Sequence, residues 1–170
     1  GARRTVAAFV NAPSEREVIF TRSATESINL VAYAWGLQNL GPGDTVVVTE
    51  LEHHANFVPW QFIASKTGAS FRHIPIDDAG ELRLEALDDL ARDGSIKVVA
   101  AGLVSNSLGT INPVERLAAW AHEQGAIMVV DAELHPRAWR GRGRLMDMRI
   151  EDHPDPVPEL RRIVTLQLAY

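Results

Sequence analysis

Thr45-Val46-Val47-Val48-Thr49 and, further along, Lys97-Val98-Val99-Ala100-Ala101-Gly102-Leu103-Val104 are the stretches that decide the fold. A strand with one face in water alternates apolar and polar residues, whereas these runs are apolar at nearly every position. That is the habit of strands covered on both faces, as in parallel sheets. Around them lie segments with a helical period. Thr25 to Leu40 carries apolar residues at Ile28, Leu30, Val31, Ala34 and Leu37. Gly41-Pro42-Gly43-Asp44 turns into the 45–49 strand, and Ala55 to Lys66 reads as the helix that leaves it. Ser70 to Ile74 reads as strand, Asp77-Asp78-Ala79-Gly80 as turn, and Leu84 to Arg92 as helix. Pro113 opens a helix from Val114 to Gln124 that Gly125 ends, and Ala126 to Val130 is the last clear strand. Toward the start, Glu17 to Thr21 (Glu-Val-Ile-Phe-Thr) is a short β-rich run after the turn at Pro13-Ser14. The alternation predicts an α/β fold of three layers, a mostly parallel sheet with helices on both faces.

A chain of 170 residues, 46% of them apolar, can bury one good core, so one domain is expected. The net charge of −5 gives no reason to expect nucleic acid or an anionic membrane as a partner. The absence of cysteine excludes disulfides, thiolate metal sites and a cysteine nucleophile within these residues. No run approaches the roughly 20 apolar residues of a membrane span, and no charged-then-apolar leader opens the chain. The reading is of a soluble cytoplasmic protein. The chain opens without methionine, at Gly1-Ala2-Arg3-Arg4, in what reads as the second half of an amphipathic helix. Methionine removal and a missing upstream segment both account for that.

After Ala132 the character changes. Residues 133–170 hold seven of the fifteen arginines and four of the nine prolines, and no strand–helix alternation continues. Arg140-Gly141-Arg142-Gly143-Arg144 invites a nucleic-acid arm, but Asp147, Glu151, Asp152, Asp155 and Glu159 dilute it. The segment reads as a divergent, Arg/Pro-rich tail, frameshifted or disordered, with a short strand from Ile163 to Tyr170.

Four residues follow apolar runs, where open α/β sheets place their ligands. Thr25, in Ser23-Ala24-Thr25-Glu26, opens a helix whose free N–H groups and dipole suit a phosphate; Ser23 and Glu26 equally make a capping box. His53, in Glu52-His53-His54-Ala55-Asn56, is a flat ring able to stack on an aromatic ligand, or an ordinary helix-start histidine. As a metal pair, His53 and His54 are poor, since adjacent side chains diverge, and no metal site is expected. Asn106 and Asp131 end the next two strands. A carboxylate there suits a protonated ring nitrogen and an amide suits a ring hydroxyl; pyridoxal phosphate offers both. A nucleotide-binding domain is the weaker reading, because no Gly-rich phosphate fingerprint follows the first strand.

Three blocks then resemble the class V aminotransferase family of fold-type I pyridoxal-phosphate enzymes, nearest the cysteine desulfurases related to selenocysteine lyases. They are Phe20-Thr-Arg-Ser-Ala-Thr-Glu-Ser-Ile-Asn-Leu-Val-Ala, Glu52-His-His-Ala-Asn-Phe-Val-Pro-Trp-Gln and Val104-Ser-Asn-Ser-Leu-Gly-Thr-Ile-Asn-Pro. The strand ending in Val130-Asp131 completes the likeness, which covers residues 1–132 as part of a cofactor-binding large domain. The resemblance implies that Ala24 (backbone) and Thr25 lie at the phosphate of pyridoxal 5'-phosphate. It places His53 over the ring, where it assists proton transfers, Asn106 at the ring hydroxyl or the substrate, and Asp131 at the ring nitrogen. The family reaction is the conversion of cysteine to alanine with persulfide transfer for iron-sulfur cluster assembly, in homodimers.

The departures are equally specific. The family pattern Asp-Gly-Ala-Gln is here Asp131-Ala132-Glu133-Leu134, and the Ser-Gly-His-Lys block that carries the Schiff-base lysine is absent. Lys66 belongs to a predicted helix and Lys97 begins a strand, so neither substitutes. The expectation is a truncated, inactive fragment that aggregates when expressed alone. The alternatives are a non-catalytic remnant pairing with a full-length paralogue, or another class V branch such as selenocysteine lyase or an aminotransferase.

Overall fold

Val46, Val47 and Val48 project alternately to the two faces of one sheet, and each face has its own core. The computed structural model describes residues 1–92 and 94–132, together with the backbone of residues 164–165. The strands are β1 (Asp44–Thr49), β2 (Ser70–Ile74), β3 (Ser95–Gly102), β4 (Ile127–Asp131) and the two-residue β5 (Val164–Thr165). They lie in the order β2-β1-β3-β4-β5, every described pairing parallel. Among the described residues six α-helical segments accompany them: α1 (Ala2–Phe9), α2 (Ala24–Val31), α3 (Leu37–Asn39), α4 (His54–Thr67), α5 (Leu87–Leu90) and α6 (Val114–Glu123).

On one face Val46, Val48, Val98, Ala100 and Val129 pack against Trp60, Ile63 and Ala64 of α4 and against Ala32. On the other, Val47, Val99, Ala101, Met128 and Val130 meet Leu87 of α5 and Leu117, Trp120 and Ala121 of α6. Fully burying such a side chain is worth about 1.5–3 kcal/mol, so the two cores supply the main driving force for three layers. The expected α/β architecture is therefore borne out. A register shift between Thr45 and Val46 leaves Lys97 as the extra residue of β3, which lets Ile96 and Val98 enter opposite cores.

The predicted helix from Thr25 to Leu40 forms as α2, a π turn (Ala32–Gly36) and α3 in sequence. At Gly36 a Cβ would stand 2.8 Å from Ile63 Cγ2, so the absence of a side chain is what lets this helix lie against α4. One expectation fails. Glu17 to Thr21 is no strand: a 3-10 turn (Glu15–Glu17) takes its first residue, and Ile19 and Phe20 are exposed. Its β-favouring residues have no neighbouring strand among the described residues, and a ladder needs a partner for its backbone groups. The expectations placed on 133–170 lie outside the described residues, apart from β5, which falls within the stretch read as a short strand.

Candidate functional site

All five strands run the same way, so the loops after β1, β3 and β4 leave from one carboxyl edge. The chain passes from β1 outward to β2 through α4, then returns to place β3 on β1's other side. Connections leaving β1 and β3 therefore depart to opposite faces, through α4 and α6, which makes this carboxyl end the switch point where open α/β sheets take their ligands.

His53 caps α4 from the β1 side. Its Nδ1 accepts the Ala55 N–H at 3.2 Å, which fixes the imidazole and leaves the proton of the neutral ring on Nε2. The ring is exposed, and the His54 ring stands 6.1 Å away at a tilt of 43°. Asn106 sits exposed at the tip of a closed loop after β3. That loop is held by a bridge between Val104 and Ile111, by Ser105 N to Thr110 O at 2.8 Å, and by Gly109 N to Ser105 O at 2.9 Å. Its base is tied down where Asn112 Nδ2 donates to Gly102 O at 2.8 Å, and its flank where Thr110 Oγ1 donates to Gly80 O at 2.9 Å. Gly80 has φ +77°, and a Cβ there would meet Leu108 Cδ1 at 2.7 Å, so the 77–80 turn supports this loop only with glycine. Asp131 ends β4 opposite Gly102, half-buried, and its carbonyl accepts the Leu103 N–H at 2.8 Å.

Thus β1, β3 and β4, side by side, bring His53, Asn106 and Asp131 to one edge. Thr25 stands apart from that row, exposed in the first turn of α2, which packs on α4. It enters from coil, not from the predicted strand. The predicted capping box is half made. Ser23 Oγ accepts the Glu26 N–H at 3.1 Å, but the Glu26 carboxylate turns to Arg22, taking its backbone N–H at 2.6 Å and its guanidinium at 3.0 Å. That guanidinium holds the Glu26 carboxyl below the usual carboxylate range. Ala24, the other predicted phosphate contact, is buried beneath the turn.

The sequence reading passed over Glu52, the most constrained acid at the edge. Glu52 Oε1 accepts Thr49 Oγ1 at 2.6 Å and Gly102 N at 2.8 Å, while Oε2 accepts Asn56 Nδ2 at 2.5 Å. Asn56 Oδ1 in turn accepts Trp60 Nε1 at 3.2 Å in the buried core. Burial pushes the Glu52 carboxyl up to about 7; its three donors pull the other way, and the Asp131 carboxylate adds to the rise. A signal existed in the Glu52-His53 adjacency, but nothing local connects Glu52 with Gly102, fifty residues away.

As a donor set, a helix N-terminus with a hydroxyl, a fixed imidazole, an amide and a carboxylate fit the phosphate, ring, ring hydroxyl and ring nitrogen of a phosphorylated pyridine. No primary amine joins them. The two lysines lie toward the opposite edge: Lys66 is in the last turn of α4, its Nζ 5.4 Å from the Phe62 ring, and Lys97 is early in β3. At about 1.5 Å per helical residue Lys66 is roughly 20 Å along α4 from His53. At about 3.3 Å per strand residue Lys97 is roughly 16 Å from Gly102. Among the described residues no group of three or more His, Asp or Glu could hold a metal ion, and no helix is long and apolar enough to cross a membrane.

Comparison with known proteins agrees with this architecture. The family model described as aminotransferase class-V matches residues 1–133. A cysteine desulfurase of Haloferax volcanii is 56% identical over 131 residues, covering 76% of this chain and 30% of that protein. A probable cysteine desulfurase of Mycolicibacterium paratuberculosis is 52% identical over 130 residues, covering 76% of this chain and 19% of that protein. Among solved structures, the apo cysteine desulfurase from Thermococcus onnurineus superposes with a TM-score of 0.72 at 39% identity, covering 79% of this chain and 33% of that one. The cysteine desulfurase CsdA of Escherichia coli gives 0.69 at 36% identity, covering 76% and 32%. The chain spans about a third or less of these relatives.

Proposed function

This chain belongs to the aminotransferase class-V family, whose members depend on pyridoxal phosphate, and from that premise we propose that residues 1–132 are the cofactor-holding part of a cysteine desulfurase-like protein. The observation that carries the reading is Asp131 at the carboxyl end of β4, on the same edge as His53 and Asn106. In this reading the first turn of α2, with Thr25 and the Ala24 backbone, holds the phosphate. His53, its ring set by the Ala55 N–H, lies over the pyridine and moves protons at Nε2. Asn106 takes the ring hydroxyl or the substrate, and Asp131 keeps the ring nitrogen protonated. The cofactor, when bound, supplies an electron sink for bonds at the substrate's α-carbon. With both lysines toward the far edge, these residues alone lack the base and imine partner that the chemistry uses, and no desulfuration is expected from the chain by itself.

Titrating the 170-residue chain with pyridoxal phosphate by fluorescence quenching and ultrafiltration tests the binding. Saturable retention that Asp131→Asn weakens about tenfold or more is the expected result. Retention unaffected by Asp131→Asn, or none, overturns the reading. Alanine and sulfide release from cysteine should not exceed a cofactor-only control.

A second reading, a non-catalytic partner of a complete family member, draws on an exposed apolar face. Leu30, Tyr33 and Leu37 are exposed, as are Val58 and Phe62 of α4, and Tyr33 and Phe62 stack at 5.9 Å. Co-purification with a complete class V protein, lost on Phe62→Glu, supports it; separate elution at micromolar concentrations refutes it.

A further inference from the structure

The clasp built on Glu52 has a direction imposed by chemistry. The indole Nε1–H of Trp60 can only donate, so the Asn56 atom facing it is the carbonyl oxygen, and the atom facing Glu52 is the amide NH2. Gly102 N–H is likewise a fixed donor. The Thr49 hydroxyl already accepts the Leu51 N–H at 3.1 Å, so its own proton is free for Glu52. Three donors from β1, α4 and β3 converge on one carboxyl group. Across Gly102, whose Cβ would stand 3.6 Å from Glu52 Oε2 and 3.9 Å from Asp131 O, lies the strand end that carries the second carboxyl.

We propose that Glu52 is the positioning residue of this edge: it ties the end of β1 to β3 and α4, which sets His53, and it absorbs the repulsion between the two carboxyls so that Asp131 stays charged. The role assigned to Asp131 rests on the cofactor reading above; the clasp and its coupling to Asp131 do not. Two acids, one just after β1 and one at the end of β4 with Gly102 of β3 between them, do not ionise together without cost, and the one whose charged form is less well solvated yields. Glu52 is that one: its carboxyl is pushed up by burial first, with Asp131 contributing. The groups facing it are Thr49 from β1, Asn56 from α4, Gly102 from β3 and Asp131 from β4. Its charged and titratable neighbours in sequence are engaged elsewhere. Glu50 pairs with His73 at 3.1 Å and takes the Ile76 N–H at 2.9 Å, while His53 takes that of Ala55.

Carboxyl carbon NMR of the full chain labelled at Asp and Glu, titrated with pH and without cofactor, tests this. Glu52 should titrate well above the ordinary glutamate range, with Asp131 the first of the two to lose its proton. Asp131→Asn should lower the Glu52 midpoint, whereas Glu52→Gln should leave that of Asp131 nearly unmoved, because Glu52 is still neutral while Asp131 titrates. The Trp60 indole N–H resonance should move with the Glu52 midpoint, because Asn56 links the two. Glu52 titrating in the ordinary range, a Glu52 midpoint unmoved by Asp131→Asn, or Asp131 as the acid that titrates high would each overturn the proposal. Should Glu52→Gln fail to fold, the Asp131→Asn titration decides alone. A chain that binds no pyridoxal phosphate yet shows these midpoints loses the cofactor reading and keeps the clasp; the converse result does the opposite.

Discussion

Glu52 makes folding itself sensitive to pH, with a sign that can be worked out. Its folded carboxyl binds its proton up to about 7, against an ordinary value of 4.5. The stabilisation is therefore complete below about pH 4.5 and is lost as pH rises through 7, at up to about 1.4 kcal/mol per pH unit. Glu26 acts oppositely: its carboxyl is held low by Arg22, so its contribution is present above the ordinary value and lost only in acid. The urea midpoint of the wild-type chain should fall between pH 5 and 7.5, and that slope should vanish in Glu52→Gln. The variant should also be less stable by about 1–3 kcal/mol, since its amide NH2 would meet either Asn56 Nδ2 or Gly102 N as donor against donor. A pH-independent midpoint in the wild-type chain would contradict the assignment. That His53, Asn106 and Asp131 come to one edge was legible because each follows a buried run, a signal contained within a few residues of sequence. Glu52 was not: what defines it is Gly102, and only the β2-β1-β3 order brings those two together.

At the scale of elements, the Asn106 loop depends on a turn that precedes it by a whole strand. Gly80→Ala would force a left-handed φ on a residue with a side chain and push against Leu108. It should cost about 1–2 kcal/mol in denaturant unfolding and weaken cofactor retention as Asn106 shifts. Thr110→Val, which removes only the hydrogen bond to Gly80 O, should cost about 1 kcal/mol. If neither variant changes retention, the loop does not position Asn106. The edge strand β2 shows a different device. It pairs with β1 alone among the described residues, and its exposed Arg72 and His73 break an otherwise adhesive edge. Replacing both with valine should raise light scattering at constant temperature without moving the unfolding midpoint by more than about 1 kcal/mol. Most of these elements could be read from period and punctuation. The Glu17 to Thr21 run could not, because a strand is a property of two segments and only one of them was in view.

For the whole molecule, the two cores explain why the fold was readable from the strands alone. Val46, Val48, Val98, Ala100 and Val129 serve one layer, while Val47, Val99, Ala101 and Val130 serve the other. Runs without polar interruption are what such a sheet requires. The same completeness leaves the outside of α2–α4 as the conspicuous apolar surface, with Tyr33 and Phe62 stacked in the open. Self-association should therefore track that face: Phe62→Glu together with Leu30→Gln should lower the sedimentation coefficient of any oligomer to that of a monomer. An oligomer that survives both changes would place its contact elsewhere.

Lys66 and Lys97 are the only side-chain amines in the sequence, and both sit toward the amino edge. With the α-amine of the first residue blocked, an amine-coupled sensor chip would grip the protein by its back. His53, Asn106 and Asp131 would then face the flowing solution, so ligand capture could be followed without an added tag. The same placement warns that an aldehyde such as pyridoxal phosphate, if it colours the protein by reacting with an amine, has marked a handle and not a pocket.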